Sequence, residues 1–137
     1  MQVALAPGSG ALVEGPMRLK SELWVKAYIR QRQVAGAFAA VIAHGHDSAG
    51  AVLIKISRLD GTAQVYGPAP MSLAAESADA PDRRFARLHA EDWLAERDAD
   101  AIVARQRSYD EDVWVVEVED RSGASGLDGA IATAADR

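Results

Sequence analysis

The chain has 137 residues, of which 49% are hydrophobic and 26% are charged, and its formal net charge is −5. These values are typical of one soluble globular domain, and they exclude a fibrous repeat or a chain that is disordered throughout. The lack of cysteine excludes a disulfide framework and a zinc site built on thiolates.

The first 16 residues show no hydrophobic periodicity and are interrupted by the turn sequence Pro7-Gly8-Ser9-Gly10. They lack the basic start of a signal peptide, and no apolar run in the chain approaches the roughly 20 residues that span a membrane. We therefore expect a cytoplasmic protein without a membrane partner. Residues 1–16 are predicted to be a disordered N-terminal extension, with Met17 as a candidate initiator.

The first predicted element is a helix. Ser21 is a residue type that caps helices, Glu22 places an anion in the first turn, and Gly36 is typical of the position after a helix end. This pattern predicts a helix from Glu22 to Ala35. The alternative is a short strand from Arg18 to Val25, followed by a helix that starts at Lys26.

This helix also carries the predicted interaction surface. Val25 and Ile29 widen its apolar arc beyond the width that one sheet face covers, and Lys26 and Arg30 lie on its polar side. An arc of this width suggests a second contact, most simply with a neighbouring copy of the chain. The predicted surface of a homodimer therefore consists of Val25, Lys26, Ile29 and Arg30. If the strand alternative holds, part of the excess width of the apolar arc disappears.

Three short apolar runs follow, separated by the turn sequences Gly45-His46-Asp47-Ser48-Ala49-Gly50 and Asp60-Gly61. The runs are Ala37–Ala43, Ala51–Ser57 and Thr62–Tyr66. Their β-branched content and the turns between them predict an antiparallel meander. The first run is apolar without interruption, which is typical of a central strand buried on both faces.

The remaining part of the domain contains one more helix and two more strands. Arg83–His89 is predicted to pair with the third run, Ala90–Arg107 has the charge pattern of a helix, and Asp112–Asp120 is the clearest strand. Residues 71–81 are predicted to be a loop, and residues 121–137 a disordered tail. Together the elements predict a single α+β domain at residues 17–120. Its sheet is expected to be four- or five-stranded and mostly antiparallel, with two helices packed on one face.

The sequence His44-Gly45-His46-Asp47 is a candidate metal site. Two histidines at i and i+2 on an extended backbone share a face, and an aspartate can add an oxygen ligand. The group lies in a predicted hairpin loop, where the alternative interpretation is a polar turn. A small metal-dependent hydrolase that uses His44, His46 and Asp47 is accordingly an alternative function.

Other catalytic classes have less support. No serine lies in a Gly-x-Ser-x-Gly turn, and the glycines before Pro16 neither follow a strand nor open a helix. Neither a serine nucleophile nor a nucleotide cofactor is therefore expected, and no residue is assigned a catalytic role. Glu117 and Glu119 form a row of like charges, which faces solvent or meets the basic helix surface of a second copy.

The charges are divided unevenly along the chain. Residues 17–35 contain five basic residues and one acid, whereas residues 76–120 contain fourteen acids and six arginines. A third possible function is weak nucleic-acid binding through Arg18, Lys20, Lys26 and Arg30. The acidic balance of the whole chain disfavours it, because a nucleic-acid surface needs a net basic patch. The simpler interpretation is that the two parts attract each other or are solvated.

Several segments together resemble a bacterial family catalogued as domain of unknown function 1491. They run from Met17 to Tyr28, from Ala49 to Lys55, through Leu59-Asp60-Gly61, and from Ala104-Arg105-Gln106-Arg107 to the strand that ends at Asp120. The resemblance implies a small stand-alone cytoplasmic protein and brings no known activity, cofactor or catalytic residue. Members of the family tend to carry arginine and aspartate around the first hairpin, in place of His44 and His46.

The sequence therefore predicts an architecture more firmly than a reaction. The expected function is a non-enzymatic interaction or structural module that self-associates as a dimer and needs no cofactor.

Overall fold

The computed structural model describes residues 19–70 and 83–132. It has an α+β fold with two helices and a six-stranded, mostly antiparallel sheet, which confirms the predicted fold class. The helices are α1 (Ser21–Val34) and α2 (Glu96–Tyr109), and the strands are β1 (Phe38–Ala43), β2 (Val52–Ser57), β3 (Thr62–Pro68), β4 (Phe85–Arg87), β5 (Leu94–Ala95) and β6 (Trp114–Glu119). The predicted N-terminal extension at 1–16 and the predicted loop at 71–81 lie outside the described residues.

The strand order corrects the predicted meander. The strands lie in the order β1-β6-β2-β3-β4, and the two-residue β5 pairs with β3. β2 pairs with β3 and β3 with β4 as predicted, but β6 lies between β1 and β2 and runs parallel to β2. The reason is that β6 presents apolar side chains on both faces, such as Val115 and Val116, and so suits the centre better than the alanine-rich β1.

The two helices cover opposite faces of the sheet, rather than the one face that was predicted. Side chains alternate along β2, and all six of its residues are buried, so both of its faces need a cover. On one face Ile54 packs in a cluster with Val25 and Tyr28 of α1. On the other face, α2 packs on β3 and β2, and its Ala99 joins a cluster with β3.

The start of α1 differs from the expected serine cap. Ser21 is the first helical residue, and its hydroxyl donates to the carbonyl oxygen of Gly50 at 2.5 Å. The backbone N–H groups of Ser21 and Glu22 donate instead to the carbonyls of Ser48 and Asp47, at 3.2 and 2.9 Å. The helix is therefore fixed at its beginning by the loop after β1, and the alternative strand over residues 22–25 is wrong. Its end matches expectation, because Gly36 has the left-handed φ of +97°.

The segment after β6 contributes to the core, although the sequence suggested a disordered tail from residue 121. Leu127 and Ala132 are buried, and the Phe85 N–H donates to the Ala130 carbonyl at 2.8 Å. The Tyr28 hydroxyl donates to the carbonyl of Ser125 at 2.5 Å. Residues 121–132 thus pack beside α1, and only residues 133–137 of the predicted tail lie outside the description.

Candidate functional site

The loop that holds His44, His46 and Asp47 is built around its own backbone. His44 Nε2 lies 2.8 Å from Asp47 Oδ1, and this hydrogen bond is the main reason that the pKa of Asp47 is below its usual value. His46 Nδ1 accepts the backbone N–H groups of Ser48 and Ala49 at 3.2 and 3.1 Å. One ring nitrogen of His46 is therefore engaged in forming the turn, as the polar-turn interpretation predicts.

The same loop crosses closely over the start of β6. The His46 N–H donates to the Asp112 carbonyl at 2.9 Å, and the indole N–H of Trp114 donates to the His46 carbonyl at 2.8 Å. The ring of His44 lies 4.0 Å from that of Trp114, centroid to centroid. Across residues 19–70 and 83–132, no group of three or more His, Cys, Asp or Glu side chains is arranged to hold a metal ion.

The predicted surface on α1 is only partly exposed. Val25 is 1% exposed and belongs to the core, so the structure removes it from that surface. Ile29 is half-buried against the same core, while Lys26 and Arg30 are exposed. Lys26 pairs with Glu22 one turn earlier at 3.4 Å. Part of the apolar arc is covered inside the chain, because residues 121–132 contact α1 at Tyr28 and Arg32.

The more unusual surface is the outer side of β1, called here the β1 edge (residues Phe38–Ala43). β1 was expected at the centre, but among the described strands it pairs only with β6 and forms one border of the sheet. Its larger side chains are well exposed: Phe38 by 60%, Val41 by 40% and Ile42 by 57%. The strand has no charged residue and no proline, although a bulge interrupts its register between Val41 and Ala43.

Within the described residues, the opposite border of the sheet is short, charged and covered, whereas β1 is not. β4 has three residues, and one of them is Arg87. On its other side Phe85 forms a bridge with Ile131. Short length, charge and a covering segment are the usual means by which edge strands avoid pairing with other chains. The sequence carried no signal for this difference, because a short apolar run looks the same at the border and at the centre.

A buried lysine connects β2 to α2. Lys55 Nζ lies 2.8 Å from Glu96, 2.7 Å from Asp100 and 3.5 Å from Glu117. Burial lowers the pKa of Lys55, but the hydrogen bonds to Asp100 and Glu96 and the charge of Glu117 outweigh it, so the net pKa lies above its ordinary value. A lysine held protonated in this way is not a nucleophile. Glu117 is thus paired with Lys55 of its own chain, on the sheet face opposite to α1.

A cleft of about 310 Å³ lies between α1 and the segment at residues 126–130. Its main polar group is the guanidinium of Arg83, which donates to the Leu19 carbonyl and to the Ser21 hydroxyl, both at 3.0 Å. Tyr28 also lines the cleft, and burial raises the pKa of its hydroxyl well above the ordinary value. No histidine or acid is among the described residues that line the cleft, so it does not bring together an acid–base pair.

No described helix is long and apolar enough to cross a membrane.

The family model described as a protein of unknown function (DUF1491) matches residues 19–128. A crystal structure of a DUF1491 family protein from Caulobacter crescentus is similar, with 35% identity, a TM-score of 0.68, and coverage of 85% of this chain and all of that one. An NMR structure of a DUF1491 family protein from the same organism gives 34% identity, a TM-score of 0.69, and coverage of 86% and 100%. A solution structure of a protein from A. tumefaciens gives 42% identity, a TM-score of 0.62, and coverage of 75% and 86%. No curated protein matches the chain significantly.

Proposed function

The chain belongs to the DUF1491 family, and we propose that it is a non-enzymatic module that self-associates through the β1 edge. The observation that carries this proposal is an apolar border strand that has no charge, no proline and no covering segment among the described residues, whereas the opposite border is short, charged and covered. The lack of cysteine suits a reducing compartment, and a cytoplasmic location is part of the same proposal.

The geometry of the β1 edge determines what kind of partner fits it. The outer N–H and C=O groups of a border strand are matched by another extended strand, which lies about 4.8 Å away. Ala39 and Val41 share the sheet face covered by α1, since they pair with Val118 and Val116 of β6, whereas Phe38 lies on the other face. A strand added beside β1 would therefore shield apolar side chains on both faces of the sheet.

A second copy of β1 fits this edge because the strand is complementary to itself. In antiparallel pairing about a two-fold axis, the same strand of each copy forms the junction. If residue i of one copy lies opposite residue j of the other, then j lies opposite i as well. All six side chains are apolar, so no like charges meet at the junction. Pairing centred on Ala40 places Phe38 opposite Ile42 of the second copy.

The non-enzymatic part of the proposal is supported by how the polar clusters are used. His46 accepts hydrogen bonds within its own loop, Lys55 is neutralised by carboxylates, and Arg83 is bound to Leu19 and Ser21. Each of these interactions stabilises the fold.

We expect the wild-type protein to be a dimer and the double variant Phe38→Lys/Ile42→Lys to be a monomer. Each substitution places a charge at the border strand and removes apolar surface worth about 1 kcal/mol per side chain. With four such side chains in a two-fold dimer, dissociation should become at least about 100-fold easier. Light scattering after size exclusion, over a range of concentrations, measures the change.

Leu23→Lys is the matched control, since Leu23 is a comparably exposed apolar residue on α1, at 52%. This variant should remain a dimer. A cysteine at Ala40 gives a second measurement, because the chain has no cysteine of its own, and paired strands bring their Cα atoms within disulfide range. A wild-type protein that is monomeric at every concentration, or a double variant that stays dimeric, would contradict the proposal.

A further inference from the structure

The outer side of β3 contains a gap that no strand fills. β4 pairs with the end of β3, from Tyr66 to Pro68, and β5 pairs with its beginning, at Thr62 and Ala63. Gln64 and Val65 lie between these two pairings. Of these two residues, Val65 points its N–H and C=O outward, away from β2. Those groups need other partners, because a buried N–H or C=O without one costs free energy.

The side chain of His89 takes the place of the missing strand residue. Its Nε2 accepts the N–H of Val65 at 3.1 Å, while its Nδ1 lies 2.8 Å from the carbonyl oxygen of Glu91. A carbonyl only accepts hydrogen bonds, so Nδ1 carries the proton and the ring is neutral. The Leu88 N–H completes the match by donating to the Val65 carbonyl at 3.0 Å.

The surrounding contacts hold the segment at residues 88–93 against β3. Gln64 Nε2 donates to the Asp92 carbonyl at 2.7 Å, and Arg87 Nε donates to the His89 carbonyl at 3.2 Å. Leu88 packs against the apolar cluster that α2 shares with β3. Among the described residues, the imidazole of His89 is thus the titratable group that accepts the backbone N–H of Val65.

We propose that His89 is a pH-sensitive clasp, which closes the gap in β3 while its ring is neutral and releases residues 88–93 from β3 in mild acid. Protonation puts a second N–H on the ring at Nε2. That donor would face the donor of Val65, and the two groups cannot bond to each other. The ring must then turn away, which exposes the outward N–H of Val65.

The charges around the ring set the direction of the effect. Burial lowers the pKa of His89, the hydrogen bond to Glu91 raises it, and the charge of Arg87 lowers it, with a net pKa below the ordinary 6.5. The facing residues of β3, Gln64 and Val65, carry no charge, and α2 contributes the apolar Ala99, Ile102 and Val103 to the adjoining cluster. The unfolded or opened segment therefore binds a proton more readily than the closed one. The stabilisation by His89 is full above pH 6.5 and is lost as the pH falls from 6.5 through the lowered pKa.

Amide hydrogen exchange followed by NMR tests the clasp on the unmodified protein. We expect the protection factor of the Val65 amide to fall by up to about tenfold per pH unit between about pH 6.5 and the lowered pKa of His89. The Val116 amide, in the central strand β6, should keep its protection factor over the same range. The ring nitrogen shifts should also show the proton on Nδ1 at neutral pH.

Two variants sharpen the test. His89→Gln replaces the ring by a side chain that does not titrate, so the protection of Val65 should no longer depend on pH, whatever its level. His44→Gln removes a histidine from the opposite border of the sheet and should leave the pH dependence of Val65 unchanged. If the wild-type Val65 and Val116 amides respond alike to pH, or if His89 titrates at or above 6.5, the clasp does not exist. That result would leave the dimer proposal unaffected, because β1 and β4 lie at opposite borders of the sheet.

Discussion

Replacement of Lys55 by methionine is expected to lower the free energy of unfolding by about 3 kcal/mol. The methionine fills a similar volume but leaves the carboxylates of Glu96, Asp100 and Glu117 facing one another without a cation. Glu96 also accepts the Ser57 hydroxyl at 2.6 Å, so it cannot easily turn out to solvent. Urea denaturation followed by tryptophan fluorescence measures the loss.

The pH dependence of this loss identifies its cause. The hydrogen bond from Lys55 lowers the pKa of Glu96 below its ordinary 4.5, so the ion pair stabilises the fold above pH 4.5, and its contribution is lost as the pH falls through the lowered pKa. The difference between wild type and Lys55→Met should therefore shrink in acid. Asp100→Asn is the matched control and should cost less than about 1 kcal/mol, because Asp100 is largely exposed. Equal losses for the two variants would show that Lys55 is not the centre of the network.

Gly50→Ala is expected to lower the free energy of unfolding by about 3 kcal/mol as well. A Cβ atom at Gly50 would overlap the carbonyl oxygen of Asp112 and lie 2.9 Å from the backbone nitrogen of His46. Both neighbours are backbone groups, and they are hydrogen-bonded to each other. The loop must therefore move as a whole, and with it the carbonyls that bind the first N–H groups of α1. Thermal and urea unfolding of the variant check this result.

Comparison with Gly36→Ala distinguishes the steric overlap expected at Gly50 from the strain of a left-handed backbone. Gly36 has a left-handed φ of +97°, but nothing lies within 4 Å of the position of its Cβ. Its replacement should cost about 1 kcal/mol, through the unfavourable conformation alone. If Gly50→Ala costs no more than Gly36→Ala, the crossing of the loop over Asp112 is looser than the structure indicates.

The local elements of this fold could be predicted from the sequence, because their signals lie within a few residues. Gly36 ends α1, Asp60-Gly61 turns β2 into β3, and the alternation from Trp114 to Glu119 describes β6. The DUF1491 resemblance was confirmed as well, since its segments are spread through the matched range. The second helix begins later than predicted, at Glu96, because β5 and the segment around His89 occupy residues that have good helix propensity.

The arrangement of the sheet could not be predicted in the same way. Nothing within Phe38–Ala43 indicates that a strand about 80 positions later will pair with it, or that no other described strand will pair with its outer side. Which sheet faces the helices cover depends on the same long-range pairing, because β2 becomes buried on both sides only when β6 lies beside it. The pairing of Lys55 with Glu96 and the bond from Val65 to His89 are likewise products of the folded chain, and single residues carry no signal for them.

The insertion of β6 between β1 and β2 makes the order of synthesis matter for this protein. A nascent chain that ends before Trp114 contains both neighbours of the missing central strand. In it β1 has no partner among the described strands, and β2 has only β3. Its sheet cannot close on the ribosome until β6 has emerged, and the parallel ladder then joins residues 62 positions apart. Such long-range pairing slows folding and prolongs the time during which intermediates expose apolar surface and unpaired strand edges. The sheet of this domain is thus completed only when its last strand in chain order has been made.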